Sequence, residues 1–98
     1  MFTWLNKQGV QSDRGFVVQC IDRFVIEYRE GARVMSVLTE PGMYDGKFCV
    51  IVDPQAFRRW DDDPADVTIP LERQQEIFAN FKEAMEFQNL AVVVEKAE

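Results

Sequence analysis

Apolar and polar residues alternate with a period of two over much of the first half of the chain, then switch to helical spacing from about residue 70. Gly15-Phe16-Val17-Val18-Gln19-Cys20-Ile21 is rich in β-formers and reads as a strand. In Phe24-Val25-Ile26-Glu27-Tyr28 the alternation predicts Phe24, Ile26 and Tyr28 on one face, with Glu27 and Arg29 on the other. Arg29-Glu30-Gly31-Ala32 predicts a tight turn, because Gly31 takes a positive φ without steric cost, and Arg33 to Leu38 returns as the hairpin partner. Pro41-Gly42 and Asp45-Gly46 punctuate the next connection. Lys47 to Val52 is apolar on both faces, which predicts a central strand covered on both sides; Asp53-Pro54 ends it, since proline has no ladder donor. Residues 1–12 carry scattered aromatics among polar residues and are expected to wrap or fray.

A helix is predicted over residues 70–88. Leu71, Phe78, Phe81 and Met85 form one stripe with Ile77 and Ala84 at its edge, and Glu72, Glu76, Glu83 and Glu86 lie across from it or at its margin. Pro70 suits the first helical position, and Glu72 complements the helix dipole. Asn89 can take the left-handed position that closes a helix, with Leu90 returning to the last turn. Phe87 falls off the stripe and has no evident partner. Leu90 to Glu95 reads as a last strand. The expected fold is α+β: an antiparallel meander in the order ββββαβ with one amphipathic helix packed on a face.

The 98 residues suffice for one modest core, so residues 1–98 are read as a single domain. A formal net charge of −6 argues against nucleic acid or an anionic membrane as the main partner, because both need a basic footprint. It fits a basic protein partner, and it fits plain solubility. The first seven residues hold no apolar stretch of the kind a secretory signal needs, and no apolar run is long enough to cross a bilayer. Cys20 and Cys49 are read as free thiols in a reducing cytoplasm, with a disulfide between neighbouring strands as the alternative.

The chemistry available is narrow. There is no histidine, hence no common general base or transition-metal ligand of that type, and Ser12 and Ser36 lack the partner that would activate them. No glycine-rich phosphate loop is present. Asp61, Asp62, Asp63 and Asp66 do not follow calcium-loop spacing, because three acids are consecutive and Pro64 follows. No metal, cofactor or catalytic group is therefore assigned.

The acidic loop 61–66, which joins the strands to the helix, is the candidate site. Arg58-Arg59-Trp60-Asp61-Asp62-Asp63 sets like charges beside a large aromatic, with no evident local stabilisation. The loop is either a solvated connection or a surface shaped for a positively charged partner. Trp60 is either a lid over the core or an exposed anchor. Tyr28 and Arg33 read as ordinary hairpin members.

Three stretches carry a resemblance: Phe24-Val25-Ile26-Glu27-Tyr28-Arg29-Glu30-Gly31-Ala32-Arg33, Trp60-Asp61-Asp62-Asp63-Pro64, and Ile69 to Ile77 continued by Ala84-Met85-Glu86-Phe87. Together they resemble the hairpin, the tryptophan–acid–proline junction and the closing helix of the immunity protein 74 family of bacterial polymorphic-toxin systems. The resemblance spans about residues 15 to 95. Asn89 stands where that family is expected to carry glycine, and Pro70 where it carries a serine-like cap. The resemblance implies a cytoplasmic, non-enzymatic protein, monomer or homodimer, that binds and neutralises a cognate toxin. Arg58, Arg59, Trp60, Asp61, Asp62, Asp63 and Asp66 would then meet a basic surface of that toxin, with Trp60 as anchor. On that reading, reversing Asp61, Asp62 and Asp63 together should slow association and leave melting nearly unaltered. The alternative is a small structural or regulatory domain that self-associates through a sheet edge or its helix.

Overall fold

A computed structural model describes residues 1–64 and 66–95; Ala65 of the acidic loop and residues 96–98 lie outside the described residues. The elements are β1 (Phe2–Asn6), β2 (Gly9–Ser12), β3 (Phe16–Asp22), β4 (Val25–Glu30), β5 (Arg33–Tyr44), β6 (Lys47–Val52), α1 (Leu71–Phe87) and β7 (Ala91–Val94). The strands lie side by side in chain order, antiparallel as far as β6, with β7 parallel to β6. The α+β class and the position of the helix agree with the sequence reading, but the sheet has seven strands where five were expected. No helix among the described residues is long and apolar enough to cross a membrane.

The two extra strands come from residues 1–12, which form a hairpin rather than fray: Thr3 pairs with Gln11, and Trp4 with Val10. Their pattern is masked because β1 is largely exposed, whereas β2 buries Val10 and Ser12. The hairpin also supplies the missing partner of Phe87, whose ring lies 5.4 Å from Phe2 and 5.9 Å from Trp4.

The long strand β5 explains a second departure. Arg33 to Leu38 pairs with β4, while Thr39 to Tyr44 pairs with β6, so Pro41-Gly42 lies inside a strand. Backbone N–H direction alternates along a strand, and the Thr39 N–H donates to the Phe24 carbonyl (2.8 Å) on the β4 side. The nitrogen of Pro41 faces that same side, where β4 has already ended, so no ladder bond is lost. The real turn is Asp45-Gly46, both at positive φ (51° and 76°), the requirement of a two-residue type I′ hairpin. Gly31 has φ 58° between paired Glu30 and Arg33, as the earlier hairpin requires. Phe24, expected inward, sits in the β3–β4 turn and is exposed. In β6, Cys49 and Val52 are buried but Phe48 is 72% exposed, so this strand is not covered on both faces.

Helix α1 buries Ile77, Phe81, Ala84 and Met85. The stripe is therefore centred on positions read as its edge, and Leu71 is 68% exposed. Pro70 is the N-cap, with ψ at 145°, rather than the first helical residue. At the other end Asn89 takes φ 64°. Its N–H donates to the Glu86 carbonyl and the Leu90 N–H to the Met85 carbonyl (both 3.0 Å), the paired bonds of a Schellman closure. The helix then delivers β7 beside β6, a parallel pairing that needs such a crossover.

Both cysteines are free, Cys49 buried and Cys20 only partly so. The core between sheet and helix contains an aromatic row: Phe16 stacks on Tyr28 (5.6 Å) and Tyr28 on Trp60 (6.2 Å), while Phe57 meets Phe78 and Phe81 edge-on. Strand alternation sorts the connections by end. The Gly31-Ala32 turn and the loop from Asp53 to Pro70 share one end of the sheet. The turns at 7–8, 23–24 and 45–46, and the helix C-terminus, share the other.

Candidate functional site

The loop after β6 is closed on itself. The Ile69 N–H donates to the Arg58 carbonyl (2.8 Å), the Asp63 N–H to the Trp60 carbonyl (3.2 Å), and the Val67 N–H to the Pro64 carbonyl (3.0 Å). It also seals an edge. β6 pairs with β5 only from Thr39 onward, so Val34 to Ser36 would otherwise present unpaired groups to solvent. Asp61 takes those groups: its N–H donates to the Val34 carbonyl (2.8 Å), and its carboxylate accepts from the Ser36 N–H (2.8 Å) and hydroxyl (2.6 Å).

Arg33 meets two of the remaining acids. Its guanidinium lies 2.7 Å from Asp63 and 3.7 Å from Asp62, and stands 5.2 Å from the centre of the Trp60 ring. The expectation that the acids lack local stabilisation is thus corrected: Arg33, read as an ordinary hairpin member, is the charge that gathers them. The link depends on the loop after β6 running on along the β5 edge from Thr39 toward Arg33. Arg59 donates to the Asp63 carbonyl (2.7 Å) and is half-buried, whereas Arg58 is exposed. Trp60 is 8% exposed and belongs to the core, so it is a lid and not an exposed anchor. Of the acids, the Asp62 side chain is 73% exposed, and Asp66 also faces solvent.

Replacing Asp61 with alanine is expected to lower stability by about 1 kcal/mol, the usual worth of such side-chain-to-backbone bonds. Urea unfolding measures this, and faster amide exchange at Ser36 would locate the loss. An unchanged Ser36 exchange rate would contradict the role assigned to this carboxylate. The Ser36–Asp61 pair does not form a nucleophile, because no base lies between hydroxyl and carboxylate and the chain has no histidine. Among the described residues, no three His, Cys, Asp or Glu side chains are grouped to hold a metal ion.

A second polar cluster, not anticipated from the sequence, joins α1 to the sheet at the same end. The Tyr28 hydroxyl donates to Glu30 and accepts from the Asn80 amide (3.0 Å), and Arg73 bridges Glu30 and Glu76. Burial and the neighbouring Glu30 carboxylate push the Tyr28 hydroxyl well above its ordinary value of 10.0, so it stays protonated as a donor. Arg14 adds a 2.8 Å pair with Glu83. Every charge here has an internal partner, which makes the cluster a clamp between helix and sheet. Its sequence trace is Arg73, Glu76 and Asn80 at helical spacing on one flank. Comparison of the chain with protein-family models, curated proteins and solved structures finds no match in any of the three.

Proposed function

We propose that this chain is a non-enzymatic immunity protein of the cytoplasm, which binds and neutralises a cognate bacterial toxin. The observation that carries the reading is the division of labour within the acidic loop. Asp61 is consumed in holding Ser36 and Asp63 in pairing with Arg33, while Asp62, more distant from the same arginine, and Asp66 remain turned to solvent on a loop closed by its own hydrogen bonds. A pre-ordered anionic surface loses little conformational entropy on binding and speeds association with a basic surface. The resemblance to the immunity protein 74 family supports the same reading. The toxin's basic face meets Asp62 and Asp66, with exposed Arg58 at the margin; Trp60, Asp61, Asp63 and Arg59 support the surface from beneath.

Reversing Asp61, Asp62 and Asp63 together does not isolate recognition, since two of the three are structural. The double variant Asp62→Lys/Asp66→Lys does. It is expected to slow association about tenfold at low salt, an effect that fades at high salt, with melting unchanged. The assay pairs the protein with the C-terminal domain of the product of the reading frame immediately upstream of its gene, if that frame encodes a secreted toxin. If the double variant associates and protects as well as wild type, the loop is not the recognition surface; if wild type forms no complex, the immunity reading falls.

The outer edge of β7 favours a second reading, self-association. Its Ala91-Val92-Val93-Val94 edge has no strand partner among the described residues and carries no charge or proline to discourage pairing. Obligate assembly of this kind makes melting depend on protein concentration with no partner present.

A further inference from the structure

At the sheet end opposite the acidic loop, a cavity of about 270 Å³ opens where the two parts of the sheet diverge. Strand β4 stops at Val25, opposite Leu38, while β5 runs on to pair with β6, and the gap between them lies beneath the end of α1. Val18, Ile26, Val50, Met85 and Leu90 make its apolar floor, and Pro41 turns toward it from β5. The polar part of the lining comprises Lys7, Gln8, Arg23, Thr39 and Gln88, and it includes two cations.

Thr39 is 6% exposed and lines the cavity as a polar residue beside that floor. Lys7, from the β1–β2 turn, and Arg23, from the β3–β4 turn, converge on the same cavity. Neither makes an ion pair among the described residues, a condition they share with Lys47, Arg58, Arg59 and Lys82. In a chain of net charge −6, two cations beside an apolar cavity, of which Arg23 also stands 5.7 Å from the centre of the Phe24 ring, create a local field that attracts an anion.

We infer that this cavity binds a small amphipathic carboxylate. The apolar body would lie on the Val18–Ile26–Val50–Met85–Leu90 floor, the carboxylate between Lys7 and Arg23, and the Thr39 hydroxyl would bond a polar atom of the ligand. The volume equals about nine waters, which suits a chain such as octanoate and excludes a nucleotide. This site is independent of the acidic loop and does not rest on toxin binding.

The test titrates the isotope-labelled protein with octanoate and, separately, with octan-1-ol of the same length. Octanoate is expected to shift the amide resonances of Val18, Ile26, Thr39 and Leu90 saturably, with octan-1-ol bound about fivefold more weakly, the worth of a partly exposed charge contact. Lys7→Gln/Arg23→Gln should abolish that preference while melting at the wild-type temperature, and Lys7→Gln alone should reduce it if the double variant folds poorly. Thr39→Val should weaken both ligands. Shifts that never saturate, shifts centred elsewhere, or equal affinity for acid and alcohol in the wild-type protein would each overturn the assignment.

Discussion

Replacing Trp60 with alanine is expected to cost about 3–5 kcal/mol, a large share of the roughly 5–15 kcal/mol that stabilises a domain of this kind. The indole fills the core beneath the acidic loop, stacked on Tyr28 on one side and covered by Arg33 on the other. Its removal leaves a cavity that neither neighbour can fill, because Tyr28 is held by Glu30 and Asn80, and Arg33 by Asp63. The loop should loosen as well, since Asp61 is positioned by the residue before it. Urea unfolding followed by far-ultraviolet circular dichroism gives the magnitude, and Trp60→Phe should recover part of it. A loss under about 1 kcal/mol would mean that the indole is not a core residue, and would restore it as an interface anchor.

The second large effect concerns Tyr28 and alkaline pH. Removing the hydroxyl in Tyr28→Phe leaves Glu30 and Asn80 each without one partner, at a cost of about 1–2 kcal/mol near neutrality. The pH dependence has a definite sign. The folded protein raises the tyrosine above its ordinary 10.0, so below that pH both states carry the proton and the stabilisation is intact. Above it the unfolded chain ionises first, and stability falls by about 1.4 kcal/mol for each further pH unit until the folded hydroxyl also titrates. Tyr28→Phe lacks this group, so its stability should decline less steeply, and the wild-type advantage should shrink from pH 10 upward. Parallel urea titrations of both proteins from pH 8 to 11 read the difference directly. Curves that stay the same distance apart would show that the hydroxyl is not held in its neutral form.

The legible parts of the chain were those where local rules and tertiary packing agree. The β4–β5 hairpin follows from alternation around Gly31, and the helix end from Asn89 in front of Leu90. Misreadings arose where a residue's local meaning depends on a distant neighbour. Pro41 breaks a strand in general, but here its missing donor faces a side that β4 has vacated. Leu71 fits the helical period, yet the buried face begins only at Ile77. Phe87 was unexplained because its partners sit on a hairpin whose first strand is mostly exposed. At the candidate site the acids were visible as a run. Their counter-charge was not, because Arg33 reaches Asp62 and Asp63 only once the loop after β6 folds back along the edge of β5.

The single parallel pairing in the sheet sets an order on how the molecule comes together. Neighbouring strands from β4 to β6 are joined by two-residue turns, so each can zip onto the last with little loss of chain entropy. Strand β7 meets β6 only after the whole stretch from Asp53 to Leu90 has been closed into a loop, a step that costs more entropy and requires the helix to be in place. Loop-closure entropy alone therefore favours the meander as the part that forms first, with β7 and α1 expected to dock after it. In the absence of β7 the edge of β6 becomes the sticky one instead.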